Sequence, residues 1–331
     1  MSAPGEMTHV NCMLGLLGAW FALNMGASGL APSFGAVLGA RVVEAPRARW
    51  LFAGFVILGA LVLGPTVAKT LSSGIVPVER FDARATLVVL LATNVAMLVA
   101  NLAAVPQSTS WVMVAALVAL GIQQGALLTR TLTHRLLPAW LLLPLASFGL
   151  SALVMRALYP LRGAKSFEVH GWLLRHRRLA HGLALASACY VAFAIGANNV
   201  ANAVAPLSAA GALEVGTGML VLSPLFGVGA RMFSGPADTI ARDIVPLGLV
   251  AATACNAIVA SLLVVASSLG LPQSLVQLNA AAVLGVVLVK EGRSGLFTGK
   301  KTRSMLALWA ITPSLAALLT FVALELSERW R

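Results

Sequence analysis

Long apolar stretches separated by short charged segments run along the whole chain. Most of them approach or exceed the ~20 residues that a helix needs to cross a bilayer. This pattern predicts an all-α polytopic membrane protein, since a transmembrane barrel would show short segments of alternating polarity instead. The apolar stretches are residues 11–40, 50–68, 86–105, 107–127, 137–155, 179–213, 215–230, 244–270, 272–289 and 304–324.

Two of these stretches follow another apolar stretch almost directly, with a proline at the junction. Pro106 and Pro272 leave too little polar sequence for a loop outside the membrane. We therefore expect re-entrant or broken helices at both places. Because proline suits the first turn of a helix, each Pro-Gln-Ser segment is expected to start an apolar helix at membrane depth. The alternative is that the motif only kinks and caps a helix. For Gln107 and Gln273 this alternative and a role in binding both stay open.

Composition supports the membrane assignment. Hydrophobic residues make up 59% of the chain and charged residues only 10%, and the mean hydropathy is +0.90. A soluble globular domain has about a quarter of its residues charged, so that class is excluded. We expect a multi-pass protein of the cell membrane, specifically a bacterial inner membrane.

The net charge of +12 would suggest a nucleic-acid partner in a soluble protein. Here the basic residues lie in short loops between apolar stretches, which the positive-inside rule and contact with anionic lipid explain. No nucleic-acid partner is expected. The loops 159–178 and 291–303 are the most basic, so we expect both to be cytoplasmic.

The N-terminal residues and the three cysteines give no sign of a cleavable signal or of a metal site. Met1–Val10 lacks the basic region of a cleavable signal, so the first apolar stretch is expected to stay in the membrane. Cys12, Cys189 and Cys255 lie in apolar stretches without ligand spacing. We interpret them as small hydrophobic residues, and we expect no metal, cofactor or disulfide.

Three short motifs recur in the same order, 166–170 residues apart. They predict an internal duplication, with residues 1–158 as a first transmembrane repeat and 159–331 as a second. Five apolar stretches per half is an odd number, which favours inverted repeats if all of them cross the membrane. Two parallel halves remain an alternative. The matching pairs are Gly26–Ala31 with Gly196–Ala201, Thr70–Leu71 with Thr239–Ile240, and Pro106–Ser108 with Pro272–Ser274.

The first motif pair is the best candidate for a binding site. Asn198, Asn199 and Asn202 lie inside an uncharged apolar stretch, where unsatisfied amides are costly, so they are expected to line a cavity or path. Ser28 is the candidate in the first copy. The small residues of the two motifs are candidates to line the site, although close helix packing explains them equally well. These small residues are Gly26, Ala27, Gly196 and Ala197.

The other two motif pairs add hydroxyl and amide groups. A helix that starts within the membrane offers free N–H groups and a positive dipole end to an anion. At the third motif, Thr70 and Thr239 are candidates to line the site, while the charges near them are interpreted as snorkelling interfacial side chains. The polar candidates at the second motif pair are Ser108, Thr109 and Ser110 in the first copy and Ser274 and Gln277 in the second.

These motifs resemble those of the inorganic phosphate transporter family over nearly the whole chain. Gly196–Ala203 is similar to the signature Gly-Ala-Asn-Asp-Val-Ala-Asn, except that Asn199 stands for the aspartate. Pro106–Ser110 is similar to the family's Pro-Val-Ser-Thr-Thr hairpin. The resemblance implies a homodimeric secondary transporter (a symporter) with inverted repeats. It also implies an oxyanion held between motifs and hairpins, and sodium held partly by the signature aspartates.

The first copy departs further, because Ser28, Gly29 and Pro32 replace Asn, Asp and Asn of the signature. With both aspartates missing, sodium coupling is disfavoured, since a hard cation prefers carboxylate and carbonyl oxygen. The resemblance then suggests a proton as the coupling ion. Asp238 and His181 are candidates to carry it, as is the anion itself.

The missing carboxylates also bear on the substrate. Phosphate near neutral pH keeps a proton that needs an acceptor, whereas sulfate only accepts hydrogen bonds. A site of hydroxyls, amides and helix N-termini therefore favours sulfate, and the chain looks most like the sulfate-permease branch of the family. Thiosulfate, sulfite, molybdate and phosphate remain open, as does an oxyanion channel. The motifs offer no acid/base pair or metal cluster, so we do not expect an enzyme.

Overall fold

The computed structural model describes residues 4–26, 29–103, 107–159, 171, 175–232, 248–292 and 300–329. Within these ranges all regular structure is helical, and eight helical segments are long and apolar enough to cross a membrane. Every predicted apolar stretch contains a helix, which confirms the all-α polytopic prediction. The helices are α1 Pro4–Gly26, α2 Leu30–Gly39, α3 Ala45–Ser73, α4 Ala83–Leu102, α5 Thr109–Gln123, α6 Thr129–Leu158, α7 Arg177–Ala209, α8 Val215–Met232, α9 Leu249–Ser268, α10 Leu275–Glu291 and α11 Lys300–Arg329.

Two helices are described in the first apolar stretch. Helix α1 is described up to Gly26, and α2 begins at Leu30. The Asn101 side chain of α4 donates to the Asn24 carbonyl oxygen of α1 at 2.9 Å. This bond ties α1 to the first helix of the following hairpin.

The corresponding motif in the second half lies within one continuous helix. Helix α7 runs without interruption through Asn198 and Asn202. The first copy carries Gly29 and Pro32 where α7 has Asn199 and Asn202, and both replacements weaken a helix. The amides of α7 instead bond mainly to neighbouring elements, so its backbone bonds are kept.

Helices α4 and α5 form a helical hairpin, so the chain enters α4 and leaves α5 on the same side of the protein. Near its open end, Gln124 donates to the Arg80 carbonyl oxygen at 3.4 Å, and the Leu128 N–H donates to the Ile75 carbonyl oxygen at 2.9 Å. Residues after α5 thus lie beside residues before α4. This geometry agrees with the expected re-entrant helix after Pro106, which itself lies outside the described residues.

Helices α9 and α10 form the second hairpin, which packs against α6. Trp140 of α6 donates to the Pro272 carbonyl oxygen at the hairpin tip, and Ser147 donates to the Leu278 carbonyl oxygen, both at 2.8 Å. Pro272 lies before the N-cap Ser274 rather than in the first turn of α10. Helix α10 therefore starts directly after the Pro-Gln-Ser segment, as expected, but the Ser274 side chain caps it and the proline lies two residues before this cap.

Glycines allow two close helix crossings between the halves. A Cβ on Gly196 would lie 1.9 Å from the Val56 carbonyl oxygen, and one on Gly59 would lie 1.9 Å from the Phe193 carbonyl oxygen. The crossing of α1 and α8 repeats this contact, with Gly26 and Gly229 in equivalent roles. These four glycines form two pairs that are each 170 residues apart, as the duplication predicts.

Helices α3 and α8, which occupy equivalent positions in the two halves, are antiparallel. Gly227 packs against Ala53, and Met219 packs against Gly64, so the residue numbers rise in opposite directions. Antiparallel equivalents are what inverted repeats require. The division into 1–158 and 159–331 and the inverted orientation stay predictions that this packing supports.

Candidate functional site

The two hairpin tips meet against the middle of α7. Asn198 and Asn202 are one turn apart, so they share a face of the helix, and both are fully buried. Ser110, at the start of α5, donates to the Gln273 carbonyl oxygen of the opposite tip at 3.3 Å. The site therefore combines one helix of the second half with hairpins from both halves.

Asn198 holds the second hairpin tip. Its Nδ2 donates to Ser267 Oγ at 2.9 Å and to the Leu271 carbonyl oxygen at 3.0 Å. Its Oδ1 accepts the Gln273 N–H at 2.9 Å, and it is the more distant of two alternative acceptors for the single Ser110 proton, at 3.5 Å. Three hydrogen bonds of this amide thus join α7 to the second hairpin, and the remaining acceptor position faces the first hairpin tip.

Asn202 faces the first hairpin tip, but its contacts there are longer. Its Nδ2 lies 3.4 Å from Thr109 Oγ1 and 3.4 Å from Ser110 Oγ. The same nitrogen donates to the Asn199 carbonyl oxygen within its own helix at 3.0 Å. An anion accepts stronger, charge-assisted hydrogen bonds. A bound anion could therefore replace the long contacts that the Asn202 amide makes with the two hydroxyl groups.

Ser108 and Ser274 cap the two inner helices in the same way. Each side chain accepts an N–H three residues on, from Trp111 or from Gln277, at 3.2 Å. The matching geometry agrees with the predicted equivalence of the two Pro-Gln-Ser motifs. Since each hydroxyl only accepts in its cap, its own proton remains available to a ligand, next to a helix N-terminus whose dipole favours negative charge.

Several buried polar atoms around these tips have no partner among the described residues. A buried polar atom without a partner costs about 1–3 kcal/mol, so such a concentration is typical of a binding site rather than a packed core. The atoms are Oδ1 of Asn199 and Asn202, both side-chain polar atoms of Gln273, and Oε1 of Gln107 and Gln277.

The structure thus brings most of the polar candidates to one place. Asn198, Asn202, Thr109 and Ser110 contact one another, and Ser108, Ser274 and Gln277 belong to the adjoining caps. Asn199 is buried on the same helix, but its side chain makes no hydrogen bond to the tips. Its assignment to substrate binding stays a prediction.

The small-residue candidates have a packing role. Gly26, Gly196 and Ala197 lie at the helix crossings between the halves, as the alternative interpretation of the sequence allowed. Thr70 lies at the α9–α10 turn, where its Oγ1 approaches Gly270. Ala27, Ser28 and Thr239 lie outside the described residues.

Sequence reasoning left out two residues at the site and one polar network. Gln273 and Ser267 bond to Asn198. For Gln273 the sequence left a binding role and a cap or kink equally open, and Ser267 gave no signal. The network joins Asn24, Asn94 and Asn101, with Asn24 donating to Asn94 Oδ1 at 3.0 Å. Isolated asparagines in apolar stretches were the signal that could have found it.

Every buried polar side chain in the described part of the chain is neutral. His181 is half-buried near the start of α7. It is 17 residues before Asn198, which is about 25 Å along a helix. Asp238, the other candidate for carrying a proton, lies outside the described residues. The site itself therefore offers neutral donors and helix ends.

A groove of about 470 Å³ between α3 and α7 lies away from this site. Its walls are mostly apolar, with Leu51, Phe55, Leu185 and Phe193 along its length and Arg47 at one end. Such a surface suits an acyl chain better than a small anion. The polar cluster at the tips is the stronger functional candidate.

A helical membrane bundle with a buried polar site between opposed hairpin tips is the architecture of a transporter. The model of the phosphate transporter family matches residues 25–320, so the chain belongs to this family. Nearly all of the described helices, from the end of α1 to α11, lie within the match.

Individual relatives agree with this assignment. The chain is 29% identical over 313 residues to the sulfate permease CysP of Bacillus subtilis (strain 168), covering 94% of this chain and 86% of the relative. It is 26% identical over 181 residues to a sodium-dependent phosphate transporter of Toxoplasma gondii (strain ATCC 50861 / VEG), covering 50% of this chain and 21% of that protein.

Among solved structures, a sodium-dependent phosphate transporter superposes with a TM-score of 0.82, covering 97% of this chain and 99% of the other. The identity is 19%, so this likeness establishes the fold. Together, fold and family make the chain a multi-pass membrane protein of the transporter class.

Proposed function

We propose that the protein is an oxyanion permease whose main substrate is sulfate. The observation that carries the proposal is the set of neutral donors at the hairpin tips, where the described buried residues include no carboxylate. Sulfate is fully ionised near neutral pH and only accepts hydrogen bonds. Hydroxyls, amide NH₂ groups and helix N-termini donate to it, whereas the proton of hydrogen phosphate would find only neutral amide oxygens there and no carboxylate to accept it.

The likeness to a named sulfate permease over 94% of the chain supports the same substrate. The sequence likeness to the Toxoplasma gondii sodium-dependent phosphate transporter covers half of the chain at lower identity. The proposed donors are Ser108, Thr109, Ser110, Asn202 and Ser274, with Ser28 from the first motif. Asn198 is proposed to position the second hairpin tip, since both hydrogens of its amide are already bonded there.

Substrate choice is tested by uptake of radiolabelled sulfate into proteoliposomes that contain the purified protein. We expect unlabelled sulfate, thiosulfate or molybdate to compete and phosphate to compete weakly. If phosphate competes fully and labelled sulfate does not enter, the substrate assignment is wrong. A steady sulfate current without coupling to another ion would identify a channel instead.

We propose a proton rather than sodium as the coupling ion. A sodium site needs oxygen ligands, usually including a carboxylate, and Asn199 stands where the family signature has one. Uptake should therefore rise with an inward proton gradient and stay unchanged with an inward sodium gradient. Uptake driven by sodium at equal pH would overturn this part of the proposal.

The transport cycle we propose is alternating access of two inverted repeats around the tips, within a homodimer. The reciprocal glycine crossings and the antiparallel α3 and α8 support the inverted arrangement. The dimer rests on the family resemblance alone, and mass measurement of the purified protein in detergent or nanodiscs tests it. Sulfate transport by a protein that is monomeric in these measurements would show that the dimer is not required.

A further inference from the structure

The Gln273 side chain is the most unusual polar group at the hairpin tips. It is fully buried, and neither its Nε2 nor its Oε1 has a partner among the described residues. Its backbone is fixed from both sides, since its N–H donates to Asn198 and its carbonyl oxygen accepts from Ser110. An amide that is costly to leave unpaired is therefore held beside Asn198, which positions the tip, and Ser110, a proposed substrate ligand.

The equivalent residue in the first hairpin is arranged differently. Gln107 precedes the N-cap Ser108 as Gln273 precedes Ser274, and it is equally buried. However, its Nε2 donates to the Met97 carbonyl oxygen at 3.1 Å, which ties the amide to α4 of its own hairpin. The Nε2 donor of Gln107 is therefore already engaged in a hydrogen bond within its own hairpin.

The structure also gives a reason for the difference. The residue equivalent to Met97 in the second hairpin is Leu263, at the same spacing of 166 residues. Its carbonyl oxygen already accepts the Ser267 hydroxyl at 2.8 Å, in addition to its ordinary helical bond. The Leu263 carbonyl oxygen, which would otherwise accept from Gln273, is therefore already bonded to Ser267. The Nε2 group of Gln273 is left without this intrahairpin hydrogen bond.

We infer that Gln273 is a substrate-binding residue that donates its Nε2 hydrogens to the bound oxyanion, while Gln107 has a structural role. This inference rests on the proposed function. The Oε1 atom of Gln107 also lacks a partner, but an acceptor gains nothing from a fully ionised oxyanion. The two hairpins thus contribute unequally to the anion, and the second hairpin supplies an amide donor in addition to its cap.

The test compares Gln273→Met with its matched control Gln107→Met, since methionine has nearly the shape of glutamine without its hydrogen bonds. Affinity is measured for sulfate by ligand-induced thermal stabilisation and by the KM of uptake. We expect Gln273→Met to weaken sulfate about tenfold or more, the effect of losing a hydrogen bond to a charged group. Gln107→Met should lower the melting temperature and change the sulfate affinity by less than about threefold.

Gln273→Glu provides a second arm that also applies if Gln273→Met does not fold. It keeps the shape and replaces the donor with an acceptor, so sulfate binding should weaken while competition by hydrogen phosphate strengthens. Unchanged sulfate affinity in the folded Gln273 variants would overturn the inference, and so would an equal loss in Gln107→Met.

The outcome is separable from that of the proposed function. If the wild-type protein binds phosphate but not sulfate, the proposed substrate is wrong, and the same variants are then compared with phosphate. If the wild type binds sulfate and the Gln273 variants match it, only the role of Gln273 is wrong.

Discussion

At the scale of single residues, Asn198 is the centre of the site. Its amide joins α7 to Ser267, Leu271, Gln273 and Ser110. The sequence identified this residue because three amides in an uncharged apolar stretch need a reason to be there. It could not identify Gln273 as a ligand, because the loss of its tether depends on Ser267 occupying a carbonyl oxygen in the folded protein.

We predict that Asn198→Ala abolishes sulfate uptake. The change leaves the buried Gln273 N–H without its acceptor, which costs about 1–3 kcal/mol and displaces the tip. The control is Asn279→Ala, because Asn279 lies in α10 and is half-buried. Uptake is measured in proteoliposomes at matched protein content, and wild-type uptake by the Asn198 variant would exclude this residue from the site.

The cap serines allow capping to be separated from substrate binding. Replacing an N-cap serine by glycine costs only a few tenths of a kcal/mol, whereas alanine costs about 1 kcal/mol. We therefore expect Ser108→Gly to unfold at nearly the wild-type temperature and to lose most sulfate uptake, because it lacks the hydroxyl. Uptake retained by Ser108→Gly but lost by Ser108→Ala would assign Ser108 to capping alone.

At the scale of helices, the arrangement depends on hairpin tips and on close crossings. The positions of Pro106 and Pro272, with almost no polar sequence before them, predicted the two hairpins. A loop outside the membrane needs polar residues, and here the chain has too few of them between the two helices of each hairpin. The intact course of α7 was not predictable from its asparagines, because their partners are distant in sequence. The exact helix starts at Thr109 and Leu275 likewise depend on which side chain provides the cap.

The crossing of α3 and α7 should tolerate no side chain at Gly196. Gly196→Ala places a methyl group 1.9 Å from the Val56 carbonyl oxygen, so the helices must separate. Overpacking of this kind costs about 1–3 kcal/mol or more. Gly182→Ala in the same helix meets nothing within 4 Å and should be neutral or slightly stabilising. Thermal unfolding in detergent distinguishes the two, and equal melting temperatures would contradict the crossing.

At the scale of the whole molecule, the halves exchange equivalent contacts. The motif repeats in the sequence predicted this duplication, and the glycine crossings support it. The orientation of the two halves across the membrane was harder to predict from the sequence. Two of the five apolar stretches in each half form a hairpin, so the number of stretches does not equal the number of membrane crossings. Geometry places Glu79 and Gln123 around the open end of the first hairpin, and Arg47 at the opposite end of α3 from Thr70.

This topology predicts opposite labelling of single cysteines. In a variant lacking Cys12, Cys189 and Cys255, cysteines at Glu79 and Gln123 should react with a membrane-impermeant maleimide from outside the cell. A cysteine at Arg47 should react only after the membrane is opened. One crossing by α3 and one by α6 place Arg47 and the loop 159–178 on the same side, opposite to Glu79, and that loop is expected to be cytoplasmic. Labelling of positions 79 and 123 from opposite sides would mean that α4 and α5 do not form a re-entrant hairpin.

The central claim is that an oxyanion binds where the two hairpin tips meet α7. A diffraction experiment with selenate, a heavier analogue of sulfate, tests it directly through the anomalous signal of selenium. We expect one strong peak per protomer, placed so that the selenate oxygens lie within hydrogen-bonding distance of Ser110 and the Gln273 side chain, and we expect it to be lost in Asn198→Ala. A selenium peak elsewhere in the protein, with none at the tips, would contradict it.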